Sequence, residues 1–359
     1  MINRERLIKT FIELASINSP SGEEKDFALF LFQKLTDLGG DVELDTYGNL
    51  IAKFNGHKSP LMLNAHLDTV EPGRQIKPKI QGNKIKSSGK TILGGDAKAG
   101  ISIIIEAVTA ARENKIPTRS LELVFTREEE SSLGGSKNLD YSKIKAKEGI
   151  VFDGDEKVSS LFISSPTYYN LDVNIIGKSA HAGVEPEKGI SAIEIAAKII
   201  ALLPLGRIDS ETTMNIGTIQ GGSARNAVPE NVKFSGELRS RNKIKLKKIL
   251  TDINLLFLSY QKKYPKSQIN YIFEKEFEGF LLKPENILIK KVSKILNGLG
   301  LVPELKDSGG GSDANIFYNK GINVLIVGTG VYESHTTREY AMIDQMTDTA
   351  KFCLEYIKD

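Results

Sequence analysis

The sequence predicts an α/β protein in which helices cover both faces of a mixed sheet and a smaller α+β domain is inserted. Short, almost wholly apolar strands alternate with helices up to about residue 165, as in a sheet buried on both faces. From residue 167, strands such as YYNLDVNIIG alternate apolar and polar residues, as half-exposed antiparallel strands do. The run INVLIVG is almost wholly apolar again, so we expect it to rejoin the first sheet. The larger predicted domain is therefore discontinuous and comprises residues 1–166 and 276–359. The inserted domain comprises residues 167–275.

The elements follow in order from these patterns. Apolar residues at helical spacing predict helices at about 3–16, 22–39, 99–113 and 134–141 in the first part of the chain. Short apolar runs predict strands within 41–54, 60–66, 120–126 and 149–153. In the inserted domain we expect strands at 168–177 and 231–240 and helices at 189–203 and 245–264. The chain then continues with a helix at 285–300, the strand at 322–328 and a terminal amphipathic helix that includes Cys353.

Composition excludes several classes of protein. The 359 residues are 40% hydrophobic with a net charge of +3, which predicts no nucleic-acid partner. The basic run RSRNKIKLKK has apolar residues at helical spacing and indicates the solvated face of a helix. A single cysteine rules out an intrachain disulfide and suits a reducing compartment. The N-terminus is not a signal peptide, and the apolar run GISIIIEAVTA is too short for a bilayer. We expect a cytoplasmic protein without a membrane partner.

Histidine and carboxylate side chains follow the apolar strands and the Gly-rich loop. In open α/β sheets, sites gather at the carboxyl ends of the strands. Each of these side chains alone could belong to a turn, a helix cap or the solvated surface. These ordinary explanations do not account for so many of them at one edge of the sheet. Three adjacent glutamates also repel one another unless positive charge lies among them. Histidine with several carboxylates is a ligand set for zinc or manganese. The residues are His66, Asp68, Asp96, Glu128, Glu129, Glu130, Asp153 and His335.

Three rival motifs fail. The run SSGKT ends like a phosphate loop, but that motif needs glycine where Lys84 stands. The run GGGSDA lacks the glycine that a nucleophile elbow requires after Ser312. Cys353 lies in a predicted helix far along the chain and suggests no Cys–His nucleophile pair. We assign Cys353 to the core and His57 to the surface.

Seven motifs resemble those of the M20 family of metallopeptidases, in order along nearly the whole chain. They are AHLDTVEPG, LGGDAKAGISI, FTREEESSLGGSK, VFDGD, GKSAHAGVEPEKGISAI, GGSARNAVPE and GTGVYESHT. Together with SGGGSDANIF they are most similar to those of the peptidase T-like members. One departure is that the segment between His66 and Asp96 is shorter than in peptidase T itself. The resemblance implies a zinc-peptidase-like sheet domain and an inserted dimerisation, or lid, domain.

The resemblance also implies the roles of the strand-end residues. Asp96 would bridge two metal ions, with two further ligands for each ion. Asp68 would hold the imidazole of His66, and Glu129 would be the general base for a water that bridges the metals. Glu128 matches no role in the family and is assigned to the surface. The predicted ligands of the first ion are His66 and Asp153, and those of the second are Glu130 and His335.

Five further residues, in or near the inserted domain, take their roles from the resemblance. His181 would reach into the active site of a partner subunit, although without the resemblance a turn residue after the strand VNIIG is the favoured interpretation. Asn226 and Arg239 would bind the backbone or carboxylate of the substrate, but Arg239 also suits a surface salt bridge. Gly310 and Gly311, in the run 309–311, would let the backbone approach the substrate, or simply form a loop.

These observations predict a homodimeric hydrolase with two divalent metal ions per chain. We expect zinc, although manganese and cobalt suit the same ligands. The expected reaction is removal of the N-terminal residue from short peptides, tripeptides foremost. An N-acyl-amino-acid deacylase or a carboxypeptidase on the same scaffold remains an alternative, because the ligands read only the amide group. A metal-binding protein without turnover is disfavoured, because the base Glu129 is present.

Overall fold

The computed structural model describes residues 1–358 and divides the chain into two compact units. The first unit is discontinuous and comprises Met1–Ser164, Leu282–Ser308 and the described residues from Ser312 onward. The second comprises Ser165–Leu281 and Gly309–Gly311. The predicted inserted domain, 167–275, lies wholly within the second unit.

The N-terminal part of the chain forms the elements that precede the second unit. The helices are α1 (Arg4–Ala15), α2 (Lys25–Asp37), α3 (Gly95–Glu113) and α4 (Gly134–Asn138). The strands are β1 (Asp41–Leu44), β2 (Leu50–Phe54), β3 (His57–His66), β4 (Pro78–Gln81), β5 (Lys84–Ser87), β6 (Arg119–Thr126), β7 (Glu148–Gly154) and β8 (Ser160–Ser165). A single 3-10 turn lies at Tyr141–Lys143.

The middle of the chain begins with β9 (Thr167–Ile176). It continues through a 3-10 turn at Pro186–Lys188, α5 (Ala192–Ile200), β10 (Gly206–Arg207), β11 (Thr212–Gly221), β12 (Asn231–Ser240), α6 (Lys243–Lys263), β13 (Gln268–Phe277) and β14 (Phe280–Leu281). The C-terminal part consists of α7 (Ile287–Gly298), β15 (Glu304–Asp307), α8 (Asp313–Asn319), β16 (Asn323–Gly328), β17 (Val331–Tyr332), β18 (Tyr340–Met342) and α9 (Ile343–Ile357).

A mixed sheet forms the centre of the first unit. Its strands run in the order β1-β2-β6-β3-β7-β16-β8, with β15 on β8. The four neighbours β6, β3, β7 and β16 are mutually parallel, and the flanking pairs β1–β2, β2–β6 and β16–β8 are antiparallel. Six consecutive residues at the end of β3, from Leu61 to His66, are buried. Because side chains alternate between faces, both faces of the strand are covered. This confirms the predicted mixed α/β sheet.

A small antiparallel sheet, β17-β18-β5-β4, was not predicted. Its hairpin β4–β5 has the lysine-rich sequence KPKIQGNKIKS, and most of its side chains are exposed or half-buried. A hairpin that buries little on either face shows no clean apolar alternation, so the sequence pattern did not reveal it. The predicted strand region 41–54 likewise proved to be two antiparallel strands, β1 and β2.

The second unit is an antiparallel sheet with two helices. The strand order is β10-β11-β12-β9-β13. The alternation in β9 buries Leu171, Val173 and Ile175, which pack with Ile195 of α5 and Phe257 of α6 in one core. The expected α+β character is therefore present, with three strands beyond the two that the sequence indicated.

No helix within residues 1–358 is both long and apolar enough to span a membrane.

Candidate metal centre

The end of the parallel strands brings four predicted ligands close to one another. His66 ends β3, Asp153 lies near the end of β7, and Asp96 lies in the first turn of α3. Nε2 of His66 is 3.0 Å from Oδ1 of Asp96 and 3.2 Å from Oδ1 of Asp153. Nε2 of His335 is 3.3 Å from the other oxygen of Asp96, Oδ2. Asp96 therefore presents one carboxylate oxygen to each histidine.

The fifth predicted ligand, Glu130, completes this cluster. It follows β6, the strand beside β3, and its Oε1 lies 2.7 Å from Nε2 of His335. The five residues, with Glu129, come from five separate segments. Three of these segments meet because the parallel neighbours β6, β3 and β7 end at the same sheet edge, and α3 and the loop after β17 add Asp96 and His335. We call His66, Asp96, Glu129, Glu130, Asp153 and His335 the ligand cluster.

The atoms of the ligand cluster fit two divalent ions that share one carboxylate. Donor atoms of His66, Asp96 and Asp153 lie within 4.8 Å of one another, and so do those of Asp96, Glu130 and His335. Oε1 of Glu130 is buried and accepts no hydrogen bond from any residue between 1 and 358, although Nε2 of His335 is near. Two donor atoms that face a common cation have this arrangement. Imidazole with carboxylate is a ligand set for zinc or manganese.

Asp68 holds both His66 and the loop after β6. Nδ1 of His66 lies 2.9 Å from the Asp68 carbonyl oxygen and 3.4 Å from its carboxylate, so the carbonyl is the closer partner. The carboxylate accepts hydrogen bonds from the backbone N–H of Glu129 at 2.9 Å, from that of Glu130 at 3.1 Å, and from the Ser21 hydroxyl. Asp68 therefore contacts the imidazole mainly through its backbone carbonyl oxygen, and its carboxylate anchors the two glutamates, which the sequence did not indicate.

Carboxylates outnumber cationic side chains in the ligand cluster, and this imbalance shifts the pKa values. Burial, and then the Asp153 charge, raise the pKa of Glu129 well above its ordinary value. Burial and the Asp96 charge likewise raise the pKa of Asp153. The carboxylates of Asp96 and Glu130, both close to the imidazole, raise the pKa of His335 to about 11.

His66 and Asp96 shift in opposite senses. Burial acts to lower the pKa of His66, but its carboxylate partners outweigh burial and raise that pKa well above its ordinary value. Burial acts to raise the pKa of Asp96, but hydrogen bonds with His335 and His66 outweigh it and lower that pKa. Without metal, protons therefore supply the positive charge that the clustered carboxylates require. Metal ions that bind to such ligands displace these protons.

Glu128, the first glutamate of the run, is not the plain surface residue that the sequence predicted. Its carboxylate lies 3.3 Å from the Arg127 guanidinium and accepts a hydrogen bond from the Tyr47 hydroxyl. Arg127 also pairs at 2.8 Å with Glu24, which is completely buried. We call Glu24, Arg127 and Glu128 the arginine-paired cluster. The positive charge beside this glutamate is supplied by the chain itself.

His181 and Asn226 lie on two loops of the second unit that contact each other. The Ala182 N–H donates to the Asn226 carbonyl oxygen at 2.9 Å, and His181 forms a β-bridge with Ala227. The imidazole is exposed, and its Nδ1 accepts a hydrogen bond from the Gly183 N–H. The structure therefore places these two predicted residues together, with the imidazole open to solvent.

Arg239 and the glycine run also lie in the second unit. Arg239 pairs with Glu237 through two nitrogens, at 3.1 and 2.9 Å, and stacks on the Tyr168 ring at 4.3 Å. The salt bridge that the sequence left open is therefore present. The Gly310 carbonyl oxygen accepts from Ser165. A Cβ on Gly311 would come within 2.1 Å of the Phe277 ring, so packing is sufficient reason for glycine there.

Two buried glutamates at this sheet edge were not singled out from the sequence. Glu24 accepts hydrogen bonds from the backbone N–H groups of Gly22 and Glu128, and Glu339 accepts from the loop that carries Asp96. Both lie in charged runs, GEEK and TREY, that look like solvated surface. The arginine directly before the glutamate run was the one local signal for the arginine-paired cluster.

Two models of peptidase families match parts of this chain. Residues 167–265 match the model of a peptidase dimerisation domain, and residues 49–180 match that of peptidase family M28. The uncharacterised protein YqjE of Bacillus subtilis strain 168 is 36% identical over an alignment that covers 100% of this chain and 99% of that protein.

Two solved structures share both fold and sequence. The aminopeptidase PepT from Bacillus cereus ATCC 10987 has a TM-score of 0.92 and 38% identity, covering 99% of this chain and 98% of that one. A tripeptidase from Staphylococcus aureus subsp. aureus mu50 has a TM-score of 0.96 and 35% identity, covering 100% of this chain and 98% of that one.

Proposed function

Since the chain belongs to the M20 family of metallopeptidases, in its peptidase T-like branch, we propose that it is an aminopeptidase that removes the N-terminal residue of tripeptides. The observation that carries this proposal is the ligand cluster, in which Asp96 presents one oxygen to each of two ligand groups beside the buried Glu129. The preference for free tripeptides is supported by the solved relatives described as an aminopeptidase and a tripeptidase.

His66, Asp96 and Asp153 would hold one ion, and Asp96, Glu130 and His335 the other. A pair of divalent ions, for which we propose zinc, would lower the pKa of water from about 15.7 toward 7 and polarise the scissile carbonyl. Asp68 keeps the His66 ring in place through Nδ1, which leaves Nε2 free to bind metal.

We assign the role of general base to Glu129. Its backbone N–H is fixed by Asp68, and its carboxylate is buried among other carboxylates, which favours its binding a proton. A base with a raised pKa both accepts a proton from the attacking water and returns it to the leaving amine nitrogen. Glu128 cannot replace it, because its carboxylate is engaged with Arg127 and Tyr47.

The second unit supports a homodimer in which His181 acts on the partner's substrate. Residues 167–265 match a peptidase dimerisation domain, and the His181 imidazole is exposed. Asn226 beside it and Arg239, once released from Glu237, would bind the substrate backbone and carboxylate. Gly310 and Gly311 would bring backbone close to the substrate. We further propose a cytoplasmic location, since the lone buried Cys353 suits a reducing compartment.

A product screen tests the activity. Zinc-loaded and manganese-loaded protein would be mixed with dipeptides, tripeptides, N-terminally blocked tripeptides and N-acyl amino acids, and products identified by mass spectrometry. Release of the first residue from free tripeptides, abolished by blocking, is the expected result. Cleavage confined to N-acyl amino acids would assign the protein to the deacylases, and release of the last residue would make it a carboxypeptidase.

Mixing two inactive variants tests the role of His181 across subunits. Glu129→Gln lacks the base and His181→Ala lacks the imidazole, so each homodimer is expected to be inactive. Subunit exchange creates mixed dimers with one complete site, which should restore about a quarter of the wild-type activity. An active monomer in sedimentation experiments, or no recovery after verified exchange, would contradict the proposal.

A further inference from the structure

One buried side chain holds the loop that carries Asp96. Oε2 of Glu339 accepts hydrogen bonds from the backbone N–H of Leu93 at 2.7 Å and of Gly94 at 2.9 Å. Oε1 accepts from Gly95 at 2.8 Å and from Asp96 at 3.2 Å. Both carboxylate oxygens are thus used, each by two consecutive N–H groups. Glu339 is only 1% exposed, so water does not compete for these donors.

The loop needs such a partner because its own backbone cannot satisfy these donors. The first N–H groups of a helix have no intrahelical acceptor, and a run of them forms a site for an anion. Asp96 itself departs from helical geometry, with φ −82° and ψ 111°. The residue at the N-cap position of the helix is Gly94, which has no side chain that could cap the free N–H groups. The conformation of this loop therefore depends on a carboxylate 243 residues further along the chain.

The same contact fixes the orientation of Asp96. The backbone N–H of Asp96 donates to Glu339. Its Oδ1 lies 3.0 Å from Nε2 of His66, and its Oδ2 lies 3.3 Å from Nε2 of His335. Since one oxygen belongs to each ligand group, any shift of the backbone at Asp96 displaces a ligand of both ions.

Glu339 also belongs to the segment that carries His335. Its own N–H donates to the carbonyl oxygen of Thr336, so a tight turn connects the imidazole and the carboxylate. His335 has a left-handed backbone with φ +63°, which is costly for a non-glycine residue and must be held by its surroundings. One turn thus contains His335, a proposed ligand of the second ion, and Glu339, which anchors the loop of Asp96.

We propose that Glu339 is a positioning residue that sets the distance between the bridging carboxylate of Asp96 and the imidazole of His335, and so makes the binding of the two ions interdependent. The inference rests on the proposed two-metal function. Glu339 is not one of the proposed ligands and acts through the loop of Asp96 and the turn that carries His335. A role in folding stability alone is the competing explanation.

Metal titration of Glu339→Gln separates the two explanations. Glutamine places an NH₂ donor against N–H donors and keeps a single acceptor oxygen, so half of the anchor is lost. Metal-stripped protein would be titrated with Zn²⁺ by calorimetry, bound ions counted by mass spectrometry, and the Co²⁺ form examined by absorption. We expect binding of at least one ion to weaken by about tenfold to a hundredfold. At saturating metal, kcat should fall while KM stays unchanged, and the Co²⁺ spectrum should shift.

Glu122→Gln is the matched control. Glu122 is a buried glutamate of the same unit that accepts hydrogen bonds from the backbone N–H groups of Lys145 and Ala146. Its substitution removes the same kind of contact outside the ligand cluster. It should lower the melting temperature and leave both metal affinities, kcat and the Co²⁺ spectrum at their wild-type values.

Each outcome discriminates. If wild type binds two ions and Glu339→Gln behaves like Glu122→Gln in affinity and kcat, the inference is overturned and the proposed function stands. If wild type does not bind two ions, the proposed function fails and the inference fails with it. Should Glu339→Gln not fold, Gly95→Ala takes its place, because its Cβ would stand 3.0 Å from Oε1 of Glu339 and 3.0 Å from both Cγ atoms of Val331 and so would displace the loop from its anchor. Wild-type metal affinities in Gly95→Ala would then overturn the inference.

Discussion

The arginine-paired cluster and the ligand cluster meet in the loop after β6, where Arg127 and Glu128 belong to the first and Glu129 and Glu130 to the second. The negative charge of the two clusters is balanced by different means. Glu24 and Glu128 share the Arg127 guanidinium, whereas Glu129 and Glu130 face Asp96, Asp153 and two histidines. Glu128 has a left-handed backbone, φ +49°, so the chain turns there and successive side chains meet different partners. Adjacent identical residues can therefore have different partners: Glu128 pairs with an arginine of the chain, whereas Glu130 lies where we propose a metal ion.

The sharpest test of this division is the same substitution at neighbouring positions. Glu129→Gln should lower kcat by about a hundredfold to ten-thousandfold, because the general base is lost, while both ions remain bound. Steady-state kinetics and metal counting by mass spectrometry measure the two effects. Glu128→Gln is the control and should keep kcat near wild type. Near-normal turnover in Glu129→Gln would show that the base is another residue.

Asp68→Asn should disturb the ligand cluster alone. An amide accepts through one oxygen only, so the N–H groups of Glu129 and Glu130 cannot both be held as they are now. We expect metal affinity or kcat to fall by about tenfold to a hundredfold, as for other residues that orient ligands. Calorimetric zinc titration measures the affinity. If Asp68→Asn kept the metal affinity and kcat of the wild type, Asp68 would not orient the proposed ligands.

Arg127→Met should disturb the arginine-paired cluster alone. It leaves the fully buried Glu24 without its cation, and breaking a buried pair from one side costs about 3 kcal/mol. Urea unfolding of the zinc-loaded protein measures the loss. The double variant with Glu24→Gln should recover part of it, because the unpaired charge is gone. Equal losses in the single and double variants would argue against an energetically important pair.

The smallest expected effect is a pH dependence confined to metal-stripped protein. Glu129 and Asp153 have raised pKa values, so the folded state keeps protons that the unfolded chain releases near about pH 4, and stability falls as pH rises above that. His335 contributes stability that is complete below about pH 6.5 and is lost as pH rises toward its folded pKa of about 11. All three act in the same direction.

Thermal melts between about pH 6 and pH 8.5 measure this dependence. The chelator-treated protein should melt at progressively lower temperature as pH rises. The zinc-loaded protein should not, because metal has replaced the protons and binds more tightly to deprotonated ligands. Identical slopes with and without metal would show that Asp153 and His335 are not metal ligands.

The clustering of the proposed ligands could be predicted in part because parallel strands end at one edge of the sheet. His66 and Asp153 terminate apolar strands, a pattern visible in the sequence, and the mixed sheet that follows from it is confirmed. Glu24 and Glu339 could not be found in this way. Whether a glutamate in a charged run is buried depends on partners far along the chain, such as the amides of residues 93–96. The glycine at 311 was similarly ambiguous, because its neighbour Phe277 is distant in sequence.

The order of the ligands along the chain has a consequence for synthesis. His66, Asp96, Glu130 and Asp153 all precede the second unit, whereas His335 and the anchor Glu339 follow it. A ribosome therefore completes the whole second unit before it adds the last ligand, and domains fold as they emerge. A nascent chain, or one shortened from its C-terminus by proteolysis, carries only part of the site. We expect such chains to be inactive as peptidases, so that activity begins only after His335 and Glu339 have been added.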